Sequence, residues 1–331
     1  MMRRGLAIAA ICLASAGAAP AQTIAVQAGQ AAGLSTESAA GASTQVRVLG
    51  EPRRSLRVKV ETSWGVRSEI ASDVFGTAYP YDRQVEVIES YIEYFSPTAR
   101  GLRSVRAGRY RLPFGLSNAG DDAYEGFLRP PLVRYGGYYA LSNGYLEHGA
   151  SVTLGAPAAA LEVSVGRPAD VGAAVRRAGL DVAARGEATM AGVTMGASLV
   201  DTTPYLPARF AVGRTRFAGV DARWMRAGVQ VRGEWLGGRP FDGASTSGGY
   251  LDLTIHRPAM GPLTALVRAE RLDYAGSSRT LVSHRYAAGA RLRLWPGASV
   301  TAAVTHQRGR VTQTRRTALD VGLGYTLRKD Y

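Results

Sequence analysis

The residues in this chain best placed to act on a charged solute are basic side chains repeated on alternate positions of short segments. Arg57 and Lys59 lie two apart, as do Arg291 and Arg293; Arg106, Arg223, Arg232 and Arg268 occupy the same kind of position elsewhere. Acids share that parity: Glu61, Glu162, Asp181, Asp221, Glu234, Asp252, Glu270 and Asp320. A connecting segment, Pro113 to Gly144, adds Asp121, Asp122, Glu125, Arg129 and Arg134. Fixed charges of both signs facing one another across water would orient and sort polar solutes by field rather than transform them. The bland alternative, solvated charges in a wide wet space, stands beside it with equal weight.

Catalysis has little to stand on. His148, His256, His284 and His306 fall on separate segments without metal-ligand spacing. Asn143 to Ser151 superficially suggests a membrane lipase, but its His and Ser are in the wrong order. Cys12 is the only cysteine and lies in the leader, so no disulfide, thiol nucleophile or Cys-based metal site is expected. No cofactor and no enzymatic activity are expected.

These charges must be held by strands. From Ala227 to Leu236, Val229, Val231 and Trp235 share one parity while Gln230, Arg232 and Glu234 share the other. A strand points successive side chains to opposite faces, so one face is apolar and the other charged. The pattern recurs from the C-terminus backwards at Thr317–Leu327, Ser299–Gln307, His284–Trp295, Leu263–Asp273, Gly249–His256, Ala227–Leu236, Arg214–Met225, Thr189–Val200, Ala178–Arg185, Ala160–Arg167, Tyr145–Gly155, Gly101–Leu112, Gln84–Ser96 and Ser55–Val66. Two weaker segments, Ser43–Leu49 and Thr23–Ala31, bring the count from fourteen to sixteen.

Short turns, including Arg185–Ala188 and Met225–Gly228, alternate with longer Gly-, Ser-, Asp- and Arg-rich connections. The expected fold is all-β: a transmembrane antiparallel β-barrel of about sixteen strands, with short periplasmic turns and longer extracellular loops. A propeller would need a fixed-period repeat, and none is present.

Residues 1–21 read as a secretory signal peptide: Arg3 and Arg4, an apolar run from Gly5 to Ala18, and a small-residue cleavage site at Ala19-Pro20-Ala21. The barrel is then 22–331. No later apolar run is long enough for a membrane helix, leaving a barrel as the spanning option. The formal charge is +14; less the 2 of Arg3 and Arg4, +12 remains. That excess favours anionic solutes or lipopolysaccharide phosphates, and an exported barrel excludes nucleic acid. Only Lys59 and Lys329 are lysines. The last strand alternates Leu319, Val321, Leu323, Tyr325 and Leu327 and the chain stops at Tyr331, which resembles the sorting signal read by the barrel-assembly machinery.

Ser90 to Pro97 followed by Ala107-Gly108-Arg109-Tyr110-Arg111-Leu112-Pro113-Phe114-Gly115-Leu116 resembles the phosphate-selective porin O and P family. Tyr250 to Ile255 and Val267 to Tyr274 resemble later strands of that family. The resemblance covers about a third of the chain. It implies a sixteen-stranded outer-membrane porin that can form a homotrimer. By position the third loop (113–144) resembles that of general porins, which folds into the lumen. The family's lysine ladder has no counterpart here, so phosphate specificity does not carry over. The expected function is passive diffusion of small hydrophilic solutes with a mild anion preference. The alternative is a non-conducting barrel serving as receptor, adhesin or scaffold.

Overall fold

A computed structural model describes residues 23–36, 40–67, 85–96, 101–116, 127–129, 131–134, 146–156, 158–169, 179–203, 213–276, 280–309 and 316–331. The expected leader 1–21 lies outside them, as do Asp121, Asp122 and Glu125 and the tyrosine-rich stretch 135–145. Sixteen antiparallel strands run in chain order: β1 Thr23–Ser35, β2 Ala40–Arg53, β3 Leu56–Arg67, β4 Glu86–Phe95, β5 Gly101–Arg111, β6 Leu146–Ala156, β7 Ala159–Pro168 and β8 Asp181–Met190. Then follow β9 Val193–Thr202, β10 Thr215–Arg226, β11 Val229–Arg239, β12 Ser245–Ile255, β13 Leu263–Ala275, β14 Thr280–Trp295, β15 Ala298–Gly309 and β16 Arg316–Asp330. Each strand pairs with its sequence neighbours, and β1 pairs with β16 to close the barrel. The seam is sealed at the chain ends, where Tyr331 N donates to Ile24 O (2.8 Å) and Ile24 N to Tyr331 O (3.2 Å). Closure leaves no open edge, so every wall strand has a partner on both sides, the condition for crossing lipid.

The two faces separate as the alternation demands. Leu161, Val163 and Val165 of β7, Val220 of β10 and Leu319, Val321 and Leu323 of β16 point outward and are exposed. Their neighbours Glu162, Ser164, Asp221 and Asp320 point inward, and all but Glu162 are buried there. A continuous apolar outer surface of this kind is what a lipid environment covers.

Sixteen strands form as expected, each overlapping its expected segment, the two weak ones included. One turn is misplaced in the sequence reading. β8 and β9 do not meet at Arg185–Ala188, and Thr189–Val200 is not one strand. The reversal is at Ala191-Gly192, both at positive φ (51° and 79°). Ala227-Gly228 makes the same reversal between β10 and β11 (48° and 75°). Two successive left-handed residues give the hairpin turn whose twist matches the strands. Gly186, inside the expected turn Arg185–Ala188, is a strand residue between the inward-facing Arg185 and Glu187.

Candidate functional site: a charged lumen narrowed by an inward loop

The chain leaving β5 turns into the barrel instead of over it. Leu112, Pro113 and Phe114 are buried, and Gly115 N donates to Ser198 Oγ of β9 (3.0 Å). Gly115 has φ +66°, and a Cβ there would run into the Glu234 carboxylate of β11. Glycine is therefore required twice over, by backbone and by space.

The same connection returns across the lumen at Phe127–Arg129 and 131–134. Arg129 makes a fork-shaped pair with Asp320 of β16 (Nε to Oδ2 2.6 Å, Nη2 to Oδ1 2.7 Å), and its Nη2 also reaches Ser35 of β1 (3.2 Å). Arg268 of β13 donates to Arg129 O (2.9 Å) and stacks on Phe127, 4.1 Å from the ring centre. Leu132 N donates to Glu270 Oε2 (2.5 Å), whose carboxylate is clamped by Arg285 (2.8 and 3.0 Å). Leu128 lies where a side chain at position 322 would be, so Gly322 leaves its space.

Apolar packing completes the anchor. Leu112, Phe114, Leu132 and Val133 of the connection cluster with Val200, Phe217, Leu236, Tyr250, Leu272 and Leu281 from β9 to β14. These wall residues sit on the inward parity, where water would otherwise be met. Each large apolar side chain so buried contributes roughly 1.5–3 kcal/mol.

The wall charges form three groups. Across β2–β5, Glu61 receives Arg47 (2.8 Å), Lys59 (3.3 Å) and Arg111 (2.6 Å), while Glu89 receives Lys59 and Arg111. Arg57 bridges Glu51 (2.9 Å) and Glu93 (3.2 Å). Across β4–β10, Arg106 pairs with Glu162 and reaches Ser151 (3.3 Å), its guanidinium 4.2 Å from Tyr110 and 5.2 Å from Tyr91. Those two rings meet edge-on at 6.4 Å. Arg185 binds Asp221 through two bonds (2.5 and 2.9 Å), and Glu187 lies 3.7 Å from Arg185 and 3.8 Å from Arg223. Under the loop, Asp252 holds Arg232 (3.0 Å) and Arg268 (2.6 Å).

Three of the expected water-facing residues are corrected by this geometry. Arg129, Arg232 and Arg268 are buried ion-pair members, sealed by the docked connection. Arg129 faces Asp320 and Arg268, not Arg57, Lys59, Arg106, Arg291 or Arg293. Arg57, Lys59 and Arg106 face the lumen already neutralised by acids. Arg223 is half-exposed. Arg291 and Arg293 sit at the short-turn end of β14 on the inward parity and make no ion pair with a described residue. Arg134 closes a single 3-10 turn, Leu132–Arg134. The sequence reading missed Arg111, Arg185 and Arg285, and missed Glu89 and Glu187 among the acids. The signal that could have found the loop's berth is the run of apolar residues on a parity that is polar everywhere else.

Between the entering connection and the wall from β4 to β8 lies a cavity of about 230 Å³, lined chiefly by Arg106, Arg111, Thr153, Glu162, Arg185 and Glu187. Among the described residues no three His, Cys, Asp or Glu side chains gather in a way that could hold a metal ion.

No protein-family model matches the sequence, so the phosphate-selective O and P resemblance has no support from that comparison. No curated protein matches it either. Solved structures do match in shape. The chain is similar to OmpF of Salmonella typhi in complex with daunomycin, with TM-score 0.66 and 10% identity over 93% of this chain and 98% of that one. It is similar to the anion-selective porin from Comamonas acidovorans (TM-score 0.63, 10% identity, 94% and 100% covered). It is also similar to a loop-deletion mutant of OmpT, an outer membrane protein of Vibrio cholerae (TM-score 0.63, 10% identity, 93% and 100% covered). At such identities the likeness is one of architecture: this chain is a closed sixteen-stranded barrel with the porin fold.

Proposed function

We propose that the protein is an outer-membrane porin of a Gram-negative bacterium, passing small hydrophilic solutes by diffusion. The observation that carries this reading is the two-faced wall. Its outer face is apolar, while its inner face holds charges that keep contact with solvent, among them Arg57, Glu187 and Arg223 (34%, 41% and 51% exposed). A barrel of this strand number leaves an aqueous passage unless plugged, and the docked connection narrows it to one side. Arg223, Arg291 and Arg293 give that passage a mild preference for anions. The reading carries with it export through a cleaved leader, assembly through the strand ending at Tyr331, contact of loop arginines with lipopolysaccharide phosphates, and a homotrimeric state. It assigns no catalytic role to any residue. Planar-bilayer recording of the purified protein tests it: stable, ohmic steps are expected. Absence of conductance in a folded, heat-modifiable protein would replace it by a non-conducting receptor, adhesin or scaffold.

A further inference from the structure

The cavity beside the inward loop is built from interleaved opposite charges, not from one basic and one acidic wall. Along β5, β7 and β8 the order is Arg106, Glu162, Arg185, Glu187, with Arg106 paired to Glu162 and Arg185 near Glu187 (3.7 Å). Members of both signs remain accessible: Glu187 is 41% exposed, Glu162 24%, Arg106 17% and Arg185 12%. Arg106 lies against the Tyr91 and Tyr110 rings, and Arg185 is held by Asp221 and Ser198. The volume, about 230 Å³, lies below the roughly 300–1,000 Å³ of drug-sized pockets and suits a solute of a few heavy atoms.

We infer that this cavity is a subsite for small zwitterions, molecules carrying a carboxylate and an ammonium on the same carbon, such as free α-amino acids. The inference rests on the porin reading. A lone anion approaching Arg106 must compete with Glu162 and meets Glu187 as a like charge. A lone cation approaching the acids meets two arginines. A zwitterion supplies both counter-charges at once, so it can insert into a pair and leave neither partner unbalanced. The carboxylate goes to Arg106 or Arg185, and the ammonium to Glu162 or Glu187. Thr153 adds a hydroxyl at the same level. The net basic charge of the chain does not govern this site, because at the cavity acids and bases balance.

The test is current block in planar bilayers by four probes of similar size at neutral pH: serine, lactate, ethanolammonium and glycerol. Serine is expected to reduce or modulate the current at a concentration roughly tenfold lower than any of the other three. Glu162→Gln with Glu187→Gln should abolish that advantage and make lactate the better blocker. Arg106→Gln should shift the preference toward ethanolammonium. Both variants change half-exposed or partly exposed lumen residues, and heat-modifiable mobility verifies that they fold. Equal block by lactate and serine in the unaltered protein overturns the zwitterion site, as does conductance that serine leaves untouched; in both cases the porin reading stands. A folded protein with no conductance overturns both.

Discussion

Arg129 and Asp320 show how much one pair can control in a lumen. Their fork is buried beneath the loop, and Thr305 adds a bond to Asp320 Oδ2 (3.1 Å). A buried pair contributes little net stability against an apolar substitute, but breaking it leaves a charge without compensation, at about 3–5 kcal/mol. Asp320→Ala should therefore release the loop's far end, raising single-channel conductance and opening the Arg134–Tyr135 bond to trypsin. The double variant Arg129→Leu/Asp320→Leu should restore both properties towards those of the unaltered protein; no difference between the single and double variants would show that the pair does not hold the loop. Arg291 and Arg293 behave differently because no described acid faces them. Replacing both by Ala should move the zero-current potential in a salt gradient toward cation preference, and the effect should shrink as salt rises and the screening length falls below about 10 Å.

At the scale of elements, the described parts of the connection between β5 and β6 act as part of the barrel's interior. Both arms share one apolar cluster, the entering arm through Leu112 and Phe114 and the returning arm through Leu132 and Val133. The entering arm adds the Gly115–Ser198 bond. The returning arm adds charge, through Arg129, Arg268 and Glu270. Deleting Asp121 to Arg134 should remove the returning arm and raise conductance. Phe114→Ala should cost about 3–5 kcal/mol of docking energy and broaden the open-channel current noise. An unchanged conductance after the deletion would place the narrowing elsewhere in the wall.

For the whole molecule, closure is the property on which everything else depends. β1 and β16 come from opposite ends of the chain, and their ladder runs from Ala25–Asp330 to Ser35–Asp320. Until it forms, two edges with unpaired backbone groups face the membrane, each group costing several kcal/mol in lipid. Removing Leu327 to Tyr331 should therefore leave no heat-modifiable form on gels, although the other strands are intact. Recovery of a normally folded barrel from that truncation would show that the terminal segment of the seam is dispensable.

The sequence by itself determined the strands and their faces. A period of two is a local property, so Val229 and Arg232 declare their opposite sides without reference to any neighbour. It also marked the long connection after β5 and the charged inward parity. It misread the β8–β9 reversal because Gly186 and Gly192 both look like breakers, and only pairing decides which one turns. Tertiary structure alone decided which arginines keep their charge available. Glu61 meets Arg111 across β3 to β5, and Arg129 meets Asp320 over 191 positions of chain. Such partners are joined only when strands pair into the wall and the loop docks inside it, because charge pairing depends on distance through space and strand alternation carries no information about it. The same holds for Phe217, Leu236, Leu272 and Leu281. Their inward parity was readable from the sequence, but what they face, Leu112, Phe114, Leu132 and Val133, is fixed only by the closed wall and the loop folded within it.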